Sequence, residues 1–153
     1  MEMFVPLPIV EEPILRNRWS LHLPAHLKIE NWCVDSVSPI RYNFGRSRWD
    51  DIRIGVREMS SFKEASFSRM LHSFSIELTP IRLELLDPVG DVLRTFTIED
   101  YEVVSIGLSD LDYAKDGLLL STLTISPKAI AMEYDGQVVR RKNRFEKKKA
   151  WFW

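Results

Sequence analysis

The sequence predicts a mainly β domain in which about eight strands surround one α-helix. Apolar and polar residues alternate with a period of two along most of the chain, and only one segment has the helical period. A single helix leaves few parallel crossovers possible, so we expect a mainly antiparallel sheet. The length of 153 residues is that of one domain, and a composition of 45% hydrophobic and 28% charged residues is typical of globular proteins.

The strands are predicted by the alternation and by the turn signals between them. In the first strand Trp19, Leu21 and Leu23 alternate with polar neighbours, as expected when one face is buried. Segment 87–90 is Asp-Pro-Val-Gly, which predicts a type I turn joining two strands of a hairpin. In chain order the predicted strands are 18–23, 30–37, 51–58, 81–85, 93–98, 102–108, 118–125 and 129–134.

The helical segment lies between residues 61 and 74. Its apolar residues fall at i, i+3, i+4 and i+7 and form one stripe, consisting of Phe67, Met70, Leu71 and Phe74. Segment 61–64, Ser-Phe-Lys-Glu, fits a capping box at the helix start. Pro80 prevents continuation of the helix, so we expect about three to four turns.

The formal charge of −1 conceals an uneven distribution. Residues 136–153 contain seven basic residues and one acidic residue, whereas residues 1–135 contain 14 basic and 21 acidic ones. The basic segment ends in Trp-Phe-Trp, and rings left in water forfeit roughly 2 kcal/mol each relative to burial. We predict that this segment docks onto a partner protein; nucleic-acid binding and a solubilising terminus are the alternatives. The candidate docking residues are Arg140, Arg141, Lys142, Arg144, Phe145, Lys147, Lys148, Lys149, Trp151, Phe152 and Trp153.

The chain divides into three parts. Prolines 6, 8 and 13 predict an extended N-terminal arm over residues 1–15, followed by a β domain over 16–134 and a basic aromatic extension over 135–153. Inside the β domain, loop 108–117 carries three acids and either reaches a partner or is simply solvated. Consecutive leucines at 118–120 predict a strand end covered on both faces, by the core and by a neighbouring subunit.

The sequence predicts no enzyme. His22 and His26 have the spacing of a zinc pair on a helix, but Pro24 lies between them in a strand pattern. Neither Gly-rich phosphate-loop motif is present, and the single cysteine, Cys33, cannot form an intramolecular disulfide. We therefore expect no catalytic residues, no cofactor and no metal.

The chain also carries no sign of export or membrane insertion. Acids stand where a signal peptide needs positive charge, and no apolar run approaches the ~18 residues of a membrane span. We therefore expect a protein of a reducing cytoplasm, or of a particle assembled there.

A series of short motifs is informative through its order. The motifs occupy 17–24, 34–39 and 49–54 in the first half of the β domain, and 83–90, 96–98, 105–108, 111–113 and 131–134 in the second. In this order and spacing, residues 16–134 resemble the tail tube proteins of contractile-tailed bacteriophages. The resemblance implies an antiparallel β-sandwich or barrel-like subunit with one flanking α-helix.

The resemblance also implies a structural virion protein. Six copies would form a homo-hexameric ring sharing one β-barrel, and stacked rings would be the conduit for DNA ejection. Tape-measure protein and DNA would pass through the lumen, and adjacent rings and sheath, baseplate or neck proteins would be partners. An acidic lumen would repel DNA phosphate. The implied location is a phage tail assembled in the host cytoplasm.

Two departures from the family bear on the position in the tube. Segment 38–48 has only eleven residues where tube proteins carry a longer inter-ring segment, and the basic aromatic extension is an addition. Both favour a ring at a tube end, an initiator on the baseplate or a terminator near the neck. The repeated tube subunit is the more abundant family member. The alternative is a cytoplasmic β domain that binds nucleic acid through its basic aromatic tail.

Overall fold

The computed structural model describes residues 13–59, 66–74, 78–114 and 116–144. Within these ranges the chain is mainly β, as predicted, with one seven-stranded antiparallel sheet, a two-stranded ribbon and one α-helix. The strands and helix are β1 Trp19–His22, β2 Val34–Val37, β3 Tyr42–Asn43, β4 Arg48–Trp49, β5 Ile52–Arg57, α1 Ser66–Ser73, β6 Ile81–Leu86, β7 Val92–Leu108, β8 Leu120–Tyr134 and β9 Gln137–Lys142.

Two long strands replace four predicted ones. The predicted strands 93–98 and 102–108 are both parts of β7, and 118–125 and 129–134 are both parts of β8 apart from residues 118–119. Glu99 and Asp100 interrupt the alternation in the sequence, but the pairing register of β7 shifts at Asp100 and the strand continues. Such irregularities bend a strand without ending it, so the prediction of four short strands was wrong.

Pro127 lies inside β8 without breaking it. On one side, β8 pairs with β5 through residues 120–125 and with β9 through residues 129–134, so Pro127 lies where the partner strand changes. Its carbonyl accepts a hydrogen bond from the Asn143 side chain at 3.0 Å. A proline is tolerated here because its missing N–H falls between two partner strands.

The long strands divide the sheet into two halves. The five-stranded half has the order β1-β6-β7-β8-β9 and uses the first part of β7 and the second part of β8. The four-stranded half has the order β7-β8-β5-β2 and uses the other parts of the two long strands. The sheet curls into a nearly closed, barrel-like shape.

One hydrophobic core fills the curled sheet. Its fully buried side chains come from both halves and from α1, and include Leu21, Ile54, Val56, Met70, Ile81, Ile98, Leu123, Ile125 and Ile130. Inward residues alternate with outward polar ones along β5 and β8, as expected when one face of a sheet is covered. Cys33 is buried in the same core.

The local predictions have mixed outcomes. The 87–90 turn is confirmed: Gly90 N donates to Asp87 O at 3.0 Å, and Gly90 has a φ of 99°, which favours glycine. The predicted strand 30–37 begins too early, because Asn31–Cys33 forms a 3₁₀ turn before β2. The helix is present as α1, whereas the predicted capping box at 61–64 lies outside the described residues.

The segment predicted as a C-terminal extension contributes a strand to the sheet. All six residues of β9 are exposed, and they pair with Ala129–Tyr134 of β8 across a turn at Asp135 and Gly136. Asp135 and Gly136 both have positive φ, which suits a tight hairpin turn. Residues 145–153 lie outside the described part of the chain.

Candidate assembly surfaces

The four-stranded half has two open edges within the described residues. β7 pairs with β6 only through residues 92–98, so residues 100–108 have a strand on one side alone. At the other edge, β2 pairs only with β5. Val104 and Leu108 expose 56% and 47% of their surface along the β7 edge. Open edges with apolar side chains are templates for pairing with another chain.

The outer face of the four-stranded half is polar. Thr122, Thr124 and Ser126 point away from the core, because Leu123 and Ile125 between them are buried. In the pairing register, Thr124 lies between Arg53 and Ser105. This face of the half therefore carries hydroxyl groups, two arginines (Arg53 and Arg57) and one acid, Glu102, which lies opposite Ser126.

Gly55 on this face permits a close approach of β2. A Cβ on Gly55 would lie 2.6 Å from Ser36 Oγ, which is far inside van der Waals contact. Ser36 pairs with Gly55 at a register shift in β2. A side chain at position 55 would therefore have to displace the Ser36 hydroxyl.

An arginine-lined cleft of about 510 Å³ lies at the end of the four-stranded half where β5 begins. We call it the arginine cleft; its charged residues are Arg41, Arg46, Arg48, Arg53, Asp50 and Asp51. Arg41 Nη1 lies 3.7 Å from Asp50 Oδ2, and Arg48 Nη2 donates a hydrogen bond to Ser126 Oγ at 3.1 Å. Within the described residues, the guanidinium groups of Arg46 and Arg53 have no hydrogen-bond or ion-pair partner. The cleft carries an excess of two positive charges.

Loop 109–119, which we call the acidic loop, joins β7 to β8. Its sequence contains Asp110, Asp112 and Asp116 against one lysine. Leu111, Tyr113 and Leu118 are 81%, 110% and 64% exposed. The first two of the consecutive leucines at 118–120 are therefore not covered by the chain's own core, contrary to that part of the prediction. Cover by a neighbouring subunit stays a prediction.

The predicted docking residues that the structure describes have contacts within the chain. Arg140 donates to Glu99 Oε2 at 2.9 Å and also bonds Oε1, and this pairing lowers the pKa of the Glu99 carboxyl. The Arg141 guanidinium lies 4.5 Å from the Tyr42 ring centroid and 5.0 Å from that of Phe44. Lys142 ends β9, and the Arg144 N–H donates to Ser47 O at 2.8 Å. The other candidates, Phe145, Lys147, Lys148, Lys149, Trp151, Phe152 and Trp153, lie outside the described residues.

The β3–β4 hairpin holds the end of β9. Trp49 N–H donates to Asn143 Oδ1 at 2.8 Å, and Trp49 Nε1–H donates to Arg141 O at 2.9 Å. Trp49 is 7% exposed and packs edge-on against Tyr42. Sequence reasoning missed this contact because the partners lie more than 90 residues apart.

A buried polar cluster fixes the start of α1. Glu58 Oε1 accepts hydrogen bonds from Ser66 Oγ at 3.0 Å, Ser121 Oγ at 2.9 Å and Phe67 N–H at 2.5 Å. Ser66 and Ser121 are buried. The carboxylate satisfies an early helix amide and two hydroxyls, so this cluster joins α1 to β5 and β8.

The histidines considered for a zinc pair have separate surroundings. His22 Nε2 lies 2.7 Å from Glu84 Oε1, and His26 lies in the 3₁₀ turn Ala25–Leu27. In the described ranges, no group of three or more His, Cys, Asp or Glu side chains is arranged to hold a metal ion. Among the described helices, none is long and apolar enough to cross a membrane.

A curled antiparallel sheet with one flanking helix is the fold of the tail tube proteins of contractile injection systems. The chain is similar to the tube-terminating cap of the anti-feeding prophage, with a TM-score of 0.65 and 14% identity over 88% of this chain and 99% of that one. It is similar to a chain of the PVC sheath/tube terminator of an extracellular contractile injection system, with a TM-score of 0.59 and 18% identity over 81% and 99%.

A chain of the PVC sheath-tube complex in the extended state has a TM-score of 0.58 and 19% identity over 82% of this chain and 94% of that one. No protein-family model and no curated protein matches the sequence. At these identities the likeness is one of fold, and function has to be argued from the surfaces.

Proposed function

We propose that the protein is a structural, non-enzymatic subunit of a contractile tail tube, in which six copies close into a ring around one shared β-barrel. The observation that carries this proposal is the four-stranded half, which has an open edge on each side. The tube and terminator structures of the same fold support it.

Ring closure follows from the physics of sheet edges. An isolated copy leaves backbone N–H and C=O groups along β7 and β2 without strand partners, which invites uncontrolled pairing. Joining the β7 edge of one copy to the β2 edge of the next removes both edges. Six four-stranded halves would give a barrel of about 24 strands, which is wide enough for an open channel.

The polar face of this half would line the channel. The opposite face is committed to the subunit's own core, so the five-stranded half has to lie outside the ring. The lining would then carry hydroxyls such as Thr122 and Thr124 together with Arg53, Arg57 and Glu102, whereas the resemblance led us to expect an acidic lining. Passage of DNA and a tape-measure protein, in a phage tail assembled in the host cytoplasm, belongs to the same proposal.

A ring at the tube end is the second candidate. It is favoured by the likeness to the anti-feeding prophage tube-terminating cap, which extends over 99% of that chain. The short β3–β4 hairpin, bonded to the chain's own β9, fits this position as well.

The ring is tested by charging the β7 edge. Val104 is exposed there, so Val104→Lys should convert hexamers to monomers in sedimentation velocity while the circular dichroism spectrum is unchanged. Val89→Lys is the matched control, because Val89 is 85% exposed at the 87–90 turn and should leave hexamers intact. Monomeric wild-type protein at high concentration, or hexamers of Val104→Lys, would contradict the proposal.

A further inference from the structure

The arginine cleft and the acidic loop lie at opposite ends of the four-stranded half. β5 and β8 are antiparallel, with Ile52 opposite Ile125 and Arg57 opposite Leu120. The acidic loop precedes Leu120, and the cleft lies beside Ile52, where Arg48 contacts Ser126. Six residues of strand therefore separate the two surfaces, a distance of about 20 Å.

The two ends carry opposite charge. Residues 41–53 contain four arginines and two aspartates, which is an excess of two positive charges, and residues 109–119 contain three aspartates and one lysine. The loop thus carries an excess of two negative charges. A positive patch meeting a negative patch fixes the orientation and register of a contact.

Both ends also expose large apolar side chains. Phe44, in the segment between the cleft residues Arg41 and Arg46, is 74% exposed, and Leu111 and Tyr113 in the loop are 81% and 110% exposed. A contact between the ends would bury apolar surface inside a charged rim, which is the composition of specific protein interfaces. The cleft of about 510 Å³ offers a concave site for the exposed side chains of the loop.

We propose that the acidic loop of one copy docks into the arginine cleft of a second copy. The contact is head-to-tail, because each copy presents its acidic loop to one neighbour and its arginine cleft to another. Such heterologous contacts that do not close on themselves build filaments. This inference rests on the proposed ring, and it makes the protein a repeated tube ring, whose two ends match each other, rather than an end ring.

Paired charge reversals in the full chain test this contact. The first variant, Asp112→Lys/Asp116→Lys, makes the loop basic, and the second, Arg46→Glu/Arg53→Glu, makes the cleft acidic. All four side chains are exposed, or on an exposed loop, so circular dichroism spectra should match the wild type. Arg16→Glu/Arg82→Glu is the control, because it reverses two exposed arginines away from both ends.

We expect wild type and control to self-associate end to end at low salt, with about tenfold weaker association at high salt because exposed charges are screened. Each reversal variant alone should fail to associate end to end. An equimolar mixture of the two should associate again, because both contacts between unlike copies are complementary. The basic loop of the first variant meets the acidic cleft of the second, and the acidic loop of the second meets the basic cleft of the first.

Sedimentation velocity separates this outcome from ring formation, because both reversal variants leave the β7 and β2 edges intact. Loss of end-to-end association with hexamers retained, and its recovery in the mixture, supports the inference. End-to-end association of either variant at the wild-type level, or a mixture that stays dissociated, overturns it whether or not hexamers form. Absence of hexamers in the wild type would contradict the proposed ring but would not decide the end-to-end contact. That contact can still be measured between single copies of the two reversal variants.

Discussion

The Asn143→Ala variant tests whether β9 belongs to the folded domain. In the wild-type protein, Asn143 Oδ1 accepts a hydrogen bond from the Trp49 N–H at 2.8 Å, and Asn143 Nδ2 donates to Pro127 O at 3.0 Å. The substitution removes two hydrogen bonds next to a buried tryptophan. At about 1 kcal/mol for each bond, the free energy of unfolding should fall by about 2 kcal/mol. For a domain of this size that is a drop of about 4–8 °C in Tm.

Thermal and urea unfolding, followed by tryptophan fluorescence, measures the effect. Asn43→Ala is the matched control: its Oδ1 accepts one exposed backbone bond, from Arg46 N at 3.1 Å, so the loss should stay below about 0.5 kcal/mol. Equal stability losses in the two variants would refute the reasoning and favour an appended strand that adds nothing to the domain.

Three further predictions concern single contacts. Gly55→Ala should destabilise by about 1–3 kcal/mol in urea unfolding, because its Cβ would lie 2.6 Å from Ser36 Oγ. Gly107→Ala is the control and should be near neutral, because a Cβ on Gly107 would meet no atom within 4 Å. Ser36→Ala should partly restore the stability lost in Gly55→Ala. Equal losses of stability at the two glycines would contradict the prediction. Glu58→Ala should cost about 2–3 kcal/mol, because Ser66, Ser121 and an early helix amide lose a charged acceptor, and an unchanged urea midpoint would contradict it. Glu99→Gln should lower Tm at pH 7 but not in acid, since Arg140 lowers the folded pKa of Glu99. The stability that the Arg140–Glu99 pair contributes is present above the pKa of Glu99 in the unfolded chain, and it is lost as the pH falls through the pKa of Glu99 in the folded protein. A Tm difference between variant and wild type that does not change with pH would contradict this prediction.

The strands that sequence predicts correctly are those with one buried face. Along β5, Ile52 and Ile54 alternate with exposed positions, and this period is visible in the sequence because the core imposes it. The continuity of β7 and β8 could not be predicted, because Pro127 is tolerated only through the change of partner strand. β9 has no buried face at all, so its pairing leaves no periodic signal.

The candidate surfaces were predicted only in part. The acidic loop and the basic character of the C-terminal segment follow from composition, which is a local property of the sequence. The arginine cleft needs Arg41, Arg48 and Arg53 from two strands and a connecting loop, and no local spacing brings them together. The contacts of Arg140 and Arg141 depend on partners far away in the chain, so sequence reasoning could not separate these side chains from the rest of the basic segment.

Cryo-electron microscopy of the purified protein tests the central claim most directly. We expect sixfold rings in which β7 of one copy pairs with β2 of the next, and in which Thr122 and Thr124 face the channel. Rings closed through other strands, or monomers alone at high concentration, would contradict it.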